Sequence, residues 1–113
     1  MVLDKSDFPR DKPCGEGIMP HGVRMLDELG VLERIPKEQR NWFDGITYAV
    51  GKVRATGAFP TLEGGYARGL GVRRTVLDGA AQDAAEAAGA TFLRKTSVTG
   101  IERDGDAMIV ETR

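Results

Sequence analysis

Phe8-Pro9-Arg10-Asp11-Lys12-Pro13-Cys14-Gly15-Glu16-Gly17-Ile18-Met19-Pro20-His21-Gly22-Val23-Arg24-Met25-Leu26-Asp27-Glu28-Leu29-Gly30-Val31 is the stretch whose reading decides the fold. Its first half, rich in proline, glycine and charge, reads as a loop spanning Ser6 to Gly17. Pro20 suits the first helical position, because its fixed φ is already helical and its missing N–H leaves nothing unpaired there. Val23, Leu26 and Leu29 then recur every three residues with Arg24, Asp27 and Glu28 between them, which predicts an amphipathic helix that Gly30 ends. Gly15 and Gly17 flank Glu16 just before this helix, so bare backbone there can approach a flat or charged ligand. The helix N-terminus and the cations Arg10 and Lys12 favour negative charge at the same place. Together they suit a phosphate-bearing or electron-accepting ligand, and equally a solvated Pro/Gly loop.

Upstream, the apolar run Met1 to Leu3 reads as a buried strand ending at Asp4, and the stripe Val23, Leu26, Leu29 is expected to pack on it. Downstream, Ile35 to Asp44 reads as polar connection. Gly45 to Val50 and Lys52 to Phe59 read as strands with Gly51 near the turn, and the glycine-rich Pro60 to Gly71 as loose chain. Thr75 to Ala88 predicts a second helix, alanine-rich, with Val76, Leu77, Ala80, Ala81, Ala84 and Ala88 as one apolar stripe and Gly89 as its stop. Thr91 to Lys95 and Ser97 to Arg103 read as strands. Asp104-Gly105 is a hairpin turn signal, with Asp106 to Thr112 as the return strand. The order of elements gives a mixed α/β class in a single domain, residues 1–113. A strand starting at residue 1 and a hairpin ending at residue 113 leave bare sheet edges, so an internal piece of a larger protein is expected.

Composition narrows the function. With 16 Lys and Arg against 17 Asp and Glu, the net charge of -1 gives no overall bias toward nucleic acid. One cysteine, Cys14, allows no internal disulfide, and no apolar run approaches the ~20 residues of a membrane helix. The charged N-terminus lacks the apolar core of a signal peptide, and cytoplasmic location is the expectation. His21 is alone, with no second His or Cys cluster to hold a metal. Cys14 stands near cations and a helix start, a setting that lowers a thiol pKa, or serves as a small apolar residue beside a ligand.

The run Phe8 to Val31 also resembles a known family. It is similar to the segment after the second strand of FAD-dependent oxidoreductases in the geranylgeranyl reductase and class A flavoprotein monooxygenase (p-hydroxybenzoate hydroxylase-like) superfamily, whose fold flavin-dependent halogenases share. Gly71-Val72-Arg73-Arg74, Leu77-Asp78 and the Ala-rich helix ending Gly89-Ala90 look like that family's next cofactor-contacting helix. The resemblance implies a partial FAD-binding fold, Rossmann-like and of the glutathione-reductase type, with mixed sheet strands and two principal helices. Residues about 45–70 would then contribute to the substrate side. It implies FAD as cofactor, with Asp4 as the ribose-binding acid. It places Cys14, Gly15, Glu16, Gly17 and Ile18 along the ribityl chain and flavin ring, and Arg74 at the phosphates or ribityl chain. Asp4, Gly15 and Arg74 are accordingly expected on one side of the fold. The implied function is a fragment of a monooxygenase or reductase that acts on an organic, apolar or aromatic small molecule, with NAD(P)H as electron donor. No general acid or base can be named among these residues. The family's opening G-x-G-x-x-G loop has no counterpart, since Gly69-Leu70-Gly71 lacks the strand–turn–helix context. The isolated chain is therefore expected to be inactive. A non-catalytic nucleotide-binding or interaction module, a truncated reading frame and a halogenase fragment stand as alternatives.

Overall fold

The computed structural model describes all residues, 1–113. Its strands are β1 (Val2–Leu3), β2 (Gly17–Ile18), β3 (Asn41–Phe43), β4 (Gly45–Val50), β5 (Val53–Ala58), β6 (Gly69–Gly71), β7 (Phe92–Leu93), β8 (Val98–Asp104) and β9 (Ala107–Thr112). Two helices, α1 (Pro20–Glu28) and α2 (Arg74–Ala87), and two short 3₁₀ turns at Leu32–Arg34 and Lys37–Gln39 complete the chain. The class is mixed α/β, as the order of elements implied.

Both helices end by the same device. Gly30 adopts φ +67 after α1, where its N–H bonds to Asp27 O and the Val31 N–H reaches Leu26 O at 2.8 Å. Gly89 does the same after α2 at φ +93, with Ala90 N–H on Ala85 O at 2.9 Å. Left-handed residues at these points close the free carbonyls of the last turn, and glycine takes that conformation without a Cβ penalty. The cap on α1 turns Val31 inward, into a core made of Val23, Val31, Ile35, Leu70, Val72 and Ala80.

That core corrects several expectations. Ile35 is buried, so the segment after α1 is not merely polar connection. The Arg40 guanidinium staples it, donating to Ile35 O at 2.6 and 2.8 Å. Gly69 to Gly71, expected within loose chain, is the central strand of a three-stranded antiparallel sheet in the order β2-β6-β3, and its Leu70 is fully buried. The stripe of α1 does not lie on β1. Val23 enters the core, and α1 packs on β6, β2 and the Leu32–Arg34 turn. Leu29 is 64% exposed because the helix has already ended and the chain reverses at Gly30. On α2, Ala80 is buried and Val76, Leu77 and Ala84 pack beside the core, whereas Ala81 and Ala88 are exposed and Gln82 is buried.

The remaining sheets are pairs. β1 and β7 run parallel, with Val2 opposite Phe92 and Leu3 opposite Leu93. β4 and β5 form one hairpin, and β8 and β9 another. The second hairpin has Asp104 paired with Ala107, so its turn is Gly105-Asp106, one residue later than the Asp-Gly signal placed it. Gly105 supplies the positive φ of +58. The radius of gyration is 18.6 Å, against about 13 Å for a compact domain of this length. Only one part of the chain, α1–β6–α2, encloses a core.

Candidate functional site

The core strand β6 positions the loop singled out in the sequence. Gly17 and Ile18 pair with Gly71 and Leu70, and the Val72 N–H donates to Glu16 O at 3.0 Å. Two residues later the chain enters α2 at Arg74. The loop and the first turn of α2 are thus fixed side by side through backbone pairing, independent of any side chain.

Three of the expected site residues meet there. The Arg74 backbone N–H points to Glu16 Oε1 at 3.4 Å, so Glu16 covers a free amide at the start of α2. Glu16 holds a left-handed φ of +54, unusual for a residue with a Cβ. The Arg74 guanidinium donates to Asp78 Oδ1, one turn along. The hydrogen bond to Asp78, its charge, and then Cys14 raise the Arg74 pKa above its ordinary value. Gly15 faces open space, with nothing within 4 Å of where a Cβ would stand. Cys14 is exposed and unpaired.

A cleft of about 250 Å³ opens beside this group, lined by Phe8, Lys12, Arg74, Asp78, Gln82 and Phe92 among others. Lys12 lies 3.9 Å from Asp78 Oδ2 and 5.8 Å from the Phe8 ring centre. The cleft is smaller than the about 300–1,000 Å³ of ordinary ligand pockets. Sequence reasoning did not single out Asp78 as part of the site. The signal was present as the i,i+4 spacing of Arg74 and Asp78 on a predicted helix.

Asp4 stands apart from these contacts. Its carboxylate accepts the Ser6 N–H at 2.7 Å, and its carbonyl accepts the Thr96 N–H at 3.0 Å. Its N–H bonds to Leu93 O at 3.1 Å, one residue past the cleft residue Phe92, which pairs with Val2 of β1. Gly69-Leu70-Gly71 is a strand in the core and not a phosphate loop. No helix is long and apolar enough to cross a membrane.

No protein-family model matches the chain. Menaquinone reductase of Mycobacterium tuberculosis (strain ATCC 25618 / H37Rv) is 29% identical over 110 residues, which cover 97% of this chain and 26% of that protein. Menaquinone reductase of Mycolicibacterium smegmatis is 28% identical over 109 residues, 96% of this chain and again 26% of its own length. The chain therefore spans about a quarter of the curated relatives it matches. Among solved structures, a flavoprotein/dehydrogenase from Cytophaga hutchinsonii superposes with a TM-score of 0.81 at 26% identity, covering 98% of this chain and 28% of that one. The p-nitrophenol 4-monooxygenase PnpA from Pseudomonas putida DLL-E4 gives 0.82 at 20% identity, with 98% and 29% covered. CmlS, a flavin-dependent halogenase, gives 0.78 at 22%, with 98% and 22% covered. The chain has the mixed α/β fold of part of an FAD-binding flavoprotein, the fold it shares with these structures.

Proposed function

We propose that the chain supplies one wall of the flavin site of an FAD-dependent oxidoreductase. The observation that carries this reading is the β2–β6 pairing, which delivers Cys14 to Ile18 onto the first turn of α2 beside Arg74. In that reading Gly15 and Gly17 let a cofactor pass against backbone, and Cys14 and Ile18 line its path. Arg74 donates to a phosphate, for which a guanidinium fork offers paired N–H groups. The Glu16 and Asp78 carboxylates accept from ribityl hydroxyls, and Asp4 accepts from the ribose diol. Bound FAD supplies the redox chemistry, and this chain orients the cofactor and sets the charge around it. A reductase fits better than a monooxygenase or halogenase, because the matched curated relatives are menaquinone reductases. The substrate in this reading is an apolar organic molecule of the quinone class, with NAD(P)H as electron donor.

The isolated chain lacks a backbone cradle for the pyrophosphate. Charge-assisted hydrogen bonds contribute about 1.5–3 kcal/mol each. Two or three fewer of them weaken binding by roughly two to six powers of ten. The test is a titration of FAD into the chain, followed by flavin fluorescence and calorimetry. Weak, salt-sensitive binding that Arg74→Ala abolishes and Arg74→Lys partly keeps supports the reading. Binding that ignores Arg74 contradicts it.

A further inference from the structure

We propose that Phe43 is the positioning residue of the candidate flavin loop: its ring, lodged on Gly69, supports Gly17 and ties that loop to the β4–β5 hairpin through Phe59. The register sorts the three-stranded sheet into two faces, because directly opposed residues share a face and successive residues alternate. Ile18, Leu70 and Trp42 form one row, whose centre, Leu70, is fully buried in the core with Val23 of α1. The rows on either side point the other way: Gly17, Gly71 and Asn41 in one, Gly69 and Phe43 in the other. Three of these five residues are glycines, so Asn41 and Phe43 alone bring side chains to that face from the paired rows.

Phe43 lies across the sheet instead of standing clear of it. A Cβ at Gly69 would be 2.8 Å from Cε1 of the ring, so the ring rests on the β6 backbone in space that a side chain at 69 would take. A Cβ at Gly17, on the strand beyond, would be 3.9 Å from Cζ, ordinary van der Waals range. The ring therefore reaches from β3 over β6 to the end of the loop. That end is thinly held, since β2 has two residues at the edge of its sheet. Phe59 meets the same ring edge-to-face, with centroids 5.6 Å apart and planes at 64°. Phe59 follows β5 directly, and its N–H donates to Asp44 O at 2.9 Å, so the root of the hairpin sets its place. One ring thus joins loop, central strand and hairpin. The inference rests on the flavin reading, in which Gly17 must hold a fixed distance from the cofactor, and a ring wedged between Gly69 and Phe59 supplies that stop.

The test is amide hydrogen exchange of the full chain, beside FAD titration of the same proteins. The Val72 N–H, bonded to Glu16 O at 3.0 Å, reports the loop, and the Val31 N–H, bonded to Leu26 O at 2.8 Å, reports the core. Phe43→Ala should speed exchange at Val72 roughly tenfold, leave Val31 within about twofold, and weaken FAD binding. Phe43→Met, whose flexible chain fills much of the same space, should restore part of the loss. Phe59→Leu should loosen the loop roughly threefold by removing the edge-to-face contact, although its own site of action is the Phe43 ring. No acceleration at Val72 in Phe43→Ala and Phe59→Leu, or equal acceleration at Val72 and Val31, overturns the proposal. FAD binding that depends on Arg74 but ignores Phe43→Ala overturns it as well. A loop loosened by Phe43→Ala in a chain whose FAD binding ignores Arg74 supports the role of Phe43 and contradicts the flavin reading alone.

Discussion

Leu70→Ala tests whether one strand holds both the core and the loop of the candidate site. Leu70 is fully buried at the centre of β6, where Ile18 of the loop pairs with it on one side and Trp42 on the other. Leucine-to-alanine changes in cores cost about 2.7–5.0 kcal/mol, the lower values where the surroundings collapse into the space. Here Leu26, Leu32, Tyr66 and Leu77 pack around the core and are only partly buried, so they can move inward. A loss of about 3 kcal/mol follows. A chain of this length has about 6–17 kcal/mol in total at ordinary values, and a core this thin places it near 6. The substitution should therefore remove about half the stability and lower Tm by roughly 15 °C. The assay is urea unfolding followed by Trp42 fluorescence, with thermal melts by circular dichroism. Leu29→Ala, at the exposed end of α1, is the control and should cost less than about 0.5 kcal/mol. Equal losses for Leu29→Ala and Leu70→Ala, or a Leu70→Ala loss under about 1 kcal/mol, would refute the placement of the core.

Two further outcomes are expected. A Cβ at Gly69 would stand 2.8 Å from Cε1 of Phe43 and closer still to two other ring carbons. Gly69→Ala should thus cost about 1–3 kcal/mol in a denaturant titration, and Phe43→Leu in the same chain should recover part of it. The Tyr66 hydroxyl donates to Asp27, and that bond, then burial, raises its pKa above 10. A raised folded pKa means that the contribution is fully present below pH 10 and is lost as pH rises through the folded value. Alkaline titration of phenolate absorbance should show a late component that Tyr66→Phe or Asp27→Asn removes.

What the sequence made legible was local. α1, α2 and both hairpins are marked by short-range chemistry: Pro20 at a helix start, Gly30 and Gly89 past helix ends, Gly51 and Gly105 in turns. β6 was not legible, because three residues with two glycines show no period, and their strand state comes from pairing with partners up to 54 positions away. Ile35 was missed for the same reason, since a single apolar residue between polar ones enters the core only because α1 and β6 meet there. The loop Cys14 to Ile18 stood out through its glycines and its helix, and its neighbour Arg74 through a family resemblance. Their contact arises from the β2–β6 register, and Asp78, quoted with that helix in the resemblance but given no role of its own, holds the Arg74 guanidinium.

The central claim is that these residues form a wall of a flavin site, and a chimera measures it most directly. The 113 residues replace the matching 109-residue stretch of the Mycolicibacterium smegmatis menaquinone reductase, which supplies the rest of the protein. The flavin content of the purified chimera is then read from its yellow absorbance, beside the same chimera carrying Arg74→Ala. The account predicts a folded chimera that retains FAD and loses most of it with Arg74→Ala. A folded chimera without flavin, or one whose flavin is untouched by Arg74→Ala, would contradict it.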